Sequence, residues 1–360
     1  MADTLELPSP KSERWRWADL PALQRAAESP RGTAPDLDAV LLPLAGPRLV
    51  FVDGVYDAER SAPGPVTVGR RAWTSEHPLA RFGAAEGWAL DLGRESVSDP
   101  IQIVHLGSGG DNHLRGFIAL AADAAASVVE TFVGTGWANR QTRIELARGA
   151  RLMRSVRLIQ TDGFVSIRDE AEIGEAASYA STFLGAGGMG SRIDGELVVS
   201  GTDAYAEMGG ALLTRGEQRQ ECAVTVRHAA ERGTSHQTWR AVAADRSAAS
   251  LAARVDVARG AQKTDGEQSL RGILLQRTAT VNLKPELEIF ADDVKCAHGA
   301  TVGELDDRAL FYLQSRGVPR PRAKALLTRA FVADSLDRIG QEVVREAFVA
   351  DADRWLEAAL

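Results

Sequence analysis

The chain has 360 residues, 44% hydrophobic and 25% charged, which is the make-up of an ordinary soluble protein with enough apolar side chain for a large core. Its net charge of −7 argues against a general nucleic-acid or anionic-membrane binder. Two distant cysteines make no disulfide framework and fit a reducing, cytoplasmic setting; the N-terminus lacks a signal-peptide core, and no apolar run of about 18 residues predicts a membrane span.

Residues 1–11, with Pro8 and Pro10 in a polar setting, are expected to be disordered. Ser12 or Asp19 then offers a helix cap, the latter with Pro21 in the first turn. Leu23, Ala26 and Ala27 give a narrow apolar stripe, and Trp15 and Trp17 are read as packing anchors. Leu49–Asp57 reads as a hairpin around Asp53-Gly54. Trp73–Gly93 reads as helix with glycine interruptions, closing an N-terminal helical region at 1–95.

From Ile101 the texture changes to short β-prone runs, commonly one per eight to fourteen residues, with Gly, Asp, Ser or Ala-Arg-Gly at the breaks. Ala147-Arg148-Gly149-Ala150 is loosely echoed at Ala258-Arg259-Gly260-Ala261. Many strands without intervening helices imply a sandwich, barrel, propeller or solenoid. Small turn residues and the lack of repeated Asn-Gly hairpins favour a β-solenoid across 96–305, its coils stacked over a continuous interior ladder. After Asp306 the period becomes helical, giving a C-terminal helical domain at 306–360. Asp306 or Asp307 caps a first helix ended by Gly317 and Pro319; a second starts near Pro321, and a third fills the last twenty residues.

The chemistry concentrates in Lys284–Asp306, KPELEIFADDVKCAHGATVGELD. On an extended strand, residues i and i+2 face the same way, so Cys296 and His298 share one side. A thiolate and an imidazole so placed suit iron, zinc or copper, but two ligands do not close a site. Further ligands would come from another strand or another chain. The plainer alternative is a Cys296 that packs as a small hydrophobe and a His298 that bonds locally before Gly299.

Other motifs carry less. Gly185, Gly187 and Gly190 match G-x-G-x-x-G but lead into a strand, so they read as a flexible loop and not a dinucleotide site. No Walker A, G-x-S-x-G, H-E-x-x-H or C-x-x-C pattern occurs, so no ATP is expected to bind this chain and no catalytic residue is assigned. His228, Ser235, His236 and Gln237 read as turn and ladder residues, and Cys222 as core. His105, Asp111 and His113 around a Gly/Ser loop are a weak metal candidate, and Asp292-Asp293 reads as a turn pair.

The segment KPELEIFADDVKCAHGATVGELDDRALFYLQSRGVP closely resembles the SufD branch of the SufB/SufD family, which serves SUF iron–sulfur cluster assembly. Ala261-Gln262-Lys263-Thr264-Asp265 with Gln268, the grouping of His228, Ser235 and Gln237, and the N-terminal SERWRWADL and LVFVDGVYD are similar to it as well. The resemblance implies a right-handed parallel β-helix between helical termini. It also implies a non-catalytic scaffold that pairs with a SufB-like subunit through the β-helix and docks a SufC-like ATPase through the C-terminal helices. His298, and with it Cys296, would meet transient iron or a nascent cluster at the shared interface. Arg316, Arg320, Arg322, Lys324 and Arg329 are the basic candidates for ATPase docking. Alone, the chain would self-pair as a homodimer through the same edge. The competing expectation, from a different class, is a β-helical polysaccharide-acting enzyme using Asp265, Asp292 or Asp293.

Overall fold

A computed structural model describes residues 7–9, 11–69, 71–83 and 86–360, so the disorder expected over 1–11 falls largely outside the described residues. The N-terminal segment carries a 3-10 turn (Glu13–Trp15) and then α1 (Leu20–Ala27). The Asp19 carboxylate caps α1 by accepting the Ala22 N–H at 3.0 Å. β1 (Arg48–Val52) and β2 (Val55–Tyr56) form the expected hairpin. Asp53 and Gly54 turn it with φ of +48° and +80°, the left-handed pair that a two-residue turn of this twist needs.

The helix expected over Trp73–Gly93 is not formed. The segment holds a 3-10 turn (Pro78–Arg81) and a strand, β4 (Glu86–Leu92), which pairs antiparallel with β3 (Val66–Val68). Its other edge runs parallel to β5 (Ile101–Leu120), with Trp88 opposite Gly116. A Cβ at Gly116 would lie 2.7 Å from the Trp88 ring, so the glycine makes the seat for the indole. Pairing and burial of Trp88, Ala89 and Leu90 override the helix propensity of the surrounding Ala, Leu and Glu.

From β5 the chain winds as a parallel β-solenoid of about eight turns. β5 and β6 (Ala125–Leu146) each bend to serve two sheets. One sheet then continues through β7 (Arg151–Leu158), β9 (Ser178–Gly185), β11 (Tyr205–Thr214), β13 (Thr234–Ala243), β15 (Asp265–Leu274) and β17 (Lys295–Gly303). The other continues through β8 (Asp162–Ile173), β10 (Gly190–Val199), β12 (Arg219–His228), β14 (Ala248–Val257) and β16 (Thr280–Ile289). Three helices follow: α2 (Asp307–Ser315), α3 (Arg320–Leu336) and α4 (Glu342–Ala359). The Asp306 carboxylate caps α2 through the Arg308 N–H at 2.8 Å, as expected. Among the described residues no helix is long and apolar enough to cross a membrane.

One corner of the solenoid repeats in conformation and not in residue type. Asp123, Gly149, Ala176, Asp203, Arg232 and Lys263 all have φ between +53° and +68°. Each sends its backbone N–H to a carbonyl one coil on: Asp123 to Arg148, Gly149 to Glu175, Ala176 to Thr202, and so on to Lys263 and Asp293. For the five non-glycine residues, all of them exposed, the left-handed conformation costs about 1 kcal/mol or more each, offset in part by the coil-to-coil hydrogen bond that it aims. The two Ala-Arg-Gly-Ala echoes both lie at this corner, and both close with an i+3 bond, Ala150 to Ala147 and Ala261 to Ala258. Gly185, Gly187 and Gly190 lie at another corner and correct the flexible-loop expectation. A Cβ there would fall 1.9 Å from the Gln220 side chain, 2.3 Å from the Gln160 carbonyl and 2.5 Å from the Arg219 carbonyl, so they let stacked corners touch.

The interior is a continuous apolar column that includes Cys222, as expected. The outer walls are covered unequally. α3 and α4 lie on the β7–β9–β11–β13 wall over Leu184, Leu213 and Val242, pinned by Arg157 to Asp351 at 2.6 Å and Arg240 Nε to Asp334 at 3.0 Å. The N-terminal segment packs Trp15 and Leu23 over Trp137 and Phe164 of the opposite wall. Trp15 is thus an anchor, seated 3.7 Å below the Arg192 guanidinium, while Trp17 is only half-buried.

Candidate functional site

The last coil differs from the rest. β16 is registered with β14 and β17 with β15, and the next described element after β17 is α2. Neither β16 nor β17 contains a buried residue. The end of the solenoid is therefore an open pair of strand edges, with Ile289, Phe290, Val302, Phe311 and Tyr312 exposed around it.

Cys296 and His298 lie on this terminal rung. In register, Cys296 stands over Gly266 and His298 over Gln268. One coil deeper, Gly266 stands over Ser235 and Gln268 over Gln237. Gly266, Gln268, Ser235 and Gln237 belong to the buried, inward-facing positions of β15 and β13. The period of two therefore puts Cys296 and His298 together on the inward face, as the sequence predicts, at the mouth of the interior column. The His298 ring is exposed; Cys296 is half-buried against the cluster of Val255, Val257, Ala261 and Ala291.

This burial raises the Cys296 thiol above its ordinary pKa, and Asp265 adds to the rise while a backbone N–H at Gly266 opposes it. A metal ligand must be the thiolate, so Cys296 gains metal-binding strength only with a cation beside it. Among the described residues no three His, Cys, Asp or Glu side chains gather into a ligand set. Nitrogen and sulfur donors fit iron, zinc or copper, and the set on this chain stops at two.

The other candidates separate. His105 points inward, stacked 4.3 Å from Phe132, with Nε2 3.2 Å from Glu130; His113 lies on the outer face, 2.9 Å from Asp111 and 3.1 Å from the Asn139 amide. They do not form one metal site. His228, Ser235 and Gln237 are interior ladder residues, as expected, and His228 Nε2 meets the Ser235 hydroxyl at 2.8 Å. Burial pushes His228 down to about 4, so it is neutral at ordinary pH. His236 faces outward, 3.5 Å from Glu267. Asp265, Asp292 and Asp293 are exposed at a solenoid corner. A shallow groove of about 540 Å³ lies elsewhere, lined by Asp91, Glu145 and Glu172.

One polar centre has no counterpart in the sequence signals. Inside the column Arg154, with no exposed side-chain surface, donates to Glu130 at 2.7 Å and to Asp169. Burial alone would raise Glu130, but Arg154 and His105 hold its carboxyl below the usual range; Asp169, buried and repelled by Glu130, is pushed up to about 6. Burial and the nearby Arg140 push His105 down to about 4. The contacting pairs lie 25, 24 and 15 residues apart along the sequence, so no local pattern marks them.

Two parallel sheets wound as a single column, closed by helices on two walls and open at the last rung, define a parallel β-solenoid protein. The family model for the SUF system FeS cluster assembly, SufBD core domain, matches residues 105–331, and the chain belongs to that family. It is similar to the iron–sulfur cluster assembly protein SufD of Escherichia coli K12, with 27% identity over 96% of this chain and 88% of that protein. The chloroplastic protein ABCI7 of Arabidopsis thaliana is 29% identical over 64% of this chain and 50% of its own length. A SufBD family protein of Synechocystis, slr0076, is 39% identical over 30% of this chain and 24% of its own length. The chain is thus a SufD-like protein with a role in iron–sulfur cluster assembly.

Proposed function

We propose that this chain is a non-catalytic scaffold subunit that completes its site with a partner. A SufB-like subunit pairs with the open β16–β17 end, and His298 with Cys296 contributes to holding iron or a nascent cluster as transient cargo at the junction. The observation that carries this reading is the position of the two donors: both face the same way on the terminal rung, whose outer edge is free. An incomplete set binds cargo weakly alone and more tightly once a partner adds ligands, which suits a surface that must also release it. A second copy of the chain is the competing occupant of that edge.

A SufC-like ATPase docks on the C-terminal helices. Support comes from α2, where Phe311 is 73% and Tyr312 57% exposed, and from the exposed Arg316, Arg320 and Arg322 beside them, with Lys324 half-buried. Arg329 is partly spent on Asp353 at 3.2 Å. The protein works in the cytoplasm, where Cys296 stays reduced. A polysaccharide-acting enzyme is the weaker reading, because Asp265, Asp292 and Asp293 are exposed and none of them lines the described groove.

The test is co-purification with SufB-like and SufC-like partners followed by anaerobic cluster reconstitution, read by absorbance. His298→Ala is expected to leave the complex intact and lower the cluster yield. An unchanged yield removes His298 from the site.

A further inference from the structure

The inward file that ends at His298 holds an unusual pair. Gln268 and Gln237 are 1% and 0% exposed and stand directly beneath it, in successive coils. Each sends its side-chain amide across the column to the opposite sheet: Gln268 Nε2 to the Glu286 carbonyl at 3.3 Å, and Gln237 Nε2 to the Arg254 carbonyl at 3.0 Å. These bonds fix which end of each amide is which, since a flip would set oxygen against a carbonyl oxygen. The Oε1 atoms of both are buried and have no partner among the described residues. A buried acceptor without a donor costs free energy that either partner would relieve.

No donor among the described residues reaches Gln268 Oε1, and the rung above it carries a ring N–H that has no acceptor. Successive rungs are about 4.8 Å apart, so side chains in one file touch. The residue over Gln268 is His298, whose ring makes no hydrogen bond or ion pair among the described residues. A neutral imidazole has one N–H and one lone pair. A histidine that binds a metal through one nitrogen commonly donates the other N–H to a carbonyl or carboxylate, which fixes ring orientation and tautomer. We infer that Gln268 is the positioning residue for His298: its stranded Oε1 accepts the ring N–H and turns the free nitrogen to the open edge. This rests on His298 being a ligand, and it adds which atom of this chain sets the ring. A neutral amide orients the imidazole without the charge of a carboxylate, in keeping with cargo that is held briefly. Gln237, one coil deeper, has the same stranded oxygen but no imidazole above it, and serves as the internal control.

The experiment uses the full chain alone, with ¹⁵N-labelled histidine, and reads the His298 tautomer from its ring nitrogen shifts; His298→Ala assigns its signals among those of the six histidines. Wild type is expected to hold one tautomer over the other by about tenfold, the size of one modest hydrogen bond. Gln268→Met removes the acceptor at nearly constant shape and should return the ratio to the intrinsic preference of a free histidine side chain, measured in the same buffer. Gln268→Glu keeps an acceptor oxygen and should restore the bias, and Gln237→Met should leave it unchanged. Equal tautomer populations in wild type, or the same bias in wild type and Gln268→Met, would overturn the assignment. The wild-type arm decides even if a variant fails to fold. Because neither partner nor cargo is present, this outcome is independent of the cluster-yield test of His298 itself.

Discussion

The middle of the solenoid and its last coil are built from the same strands and treated in opposite ways. At β7–β13 the column is filled, one wall is roofed by α3 and α4, and even charge is buried and paired, as at Arg154. At β16–β17 no residue is buried, the edges are free, and the polar groups Cys296, His298 and the stranded oxygen of Gln268 collect. In a solenoid each coil is stabilised chiefly by its neighbours, so the terminal coil has half the support of an inner one. The difference teaches that stability and chemistry are kept apart along one axis. The filled middle can tolerate little change, while the open end is spare structure until something covers it.

That contrast is open to direct attack. The largest expected effect is in the middle. Arg154→Met strands Glu130 and Asp169 without their guanidinium and should cost about 3–5 kcal/mol, whereas His298→Ala at the open end should cost about 1 kcal/mol, the worth of one hydrogen bond to Gln268. Urea unfolding midpoints of the two variants measure both. Similar losses would erase the distinction between the regions.

Acid probes the same interior. His228 is lowered from 6.5 to about 4 by burial. The unfolded chain takes up this proton as pH falls through 6.5, the folded chain only near 4. His228 therefore lowers stability progressively across that window, by on the order of 3 kcal/mol. Asp169, raised to about 6, has the opposite sign: its contribution is lost as pH rises through that value. The clean quantity is therefore the difference between wild type and His228→Gln at each pH. Wild type should lose ground to the variant between pH 6.5 and 4, and parallel pH curves would show that His228 is not buried neutral.

The smallest effect is at the repeating corner. Ala176 sits at φ +53°, and Ala176→Gly should stabilise the chain by about 0.5–1 kcal/mol in thermal or urea unfolding. A loss of stability would mean that the corner does not hold the left-handed conformation.

Parts of this were legible in the sequence for local reasons. The Asp53-Gly54 hairpin, the Asp306 cap of α2, and the shared face of Cys296 and His298 follow from two- and three-residue rules that nothing distant overrides. The coil repeat was blurred because its fixed feature is a backbone angle carried in turn by Asp123, Gly149, Ala176, Asp203, Arg232 and Lys263. The helix expected at Trp73–Gly93 failed because β4 answers to a distant strand, Trp88 needing Gly116 beneath it. For the same reason the first rungs start before residue 96: β1 and β4 are both registered with β5. The Glu130–Arg154–Asp169 centre and the Gln237–Gln268 file were illegible because only winding brings residues half a coil or a full coil apart into contact.

The central claim is that the free end of β16 and β17 is covered by a partner. Amide hydrogen exchange of the full chain, alone and mixed with a SufB-like subunit, tests it most directly. The account predicts that β16 and β17 exchange faster than β11–β13 in the chain alone and become protected in the mixture, with little change in the middle. A complex that forms while β16 and β17 keep exchanging at their free rate would contradict it.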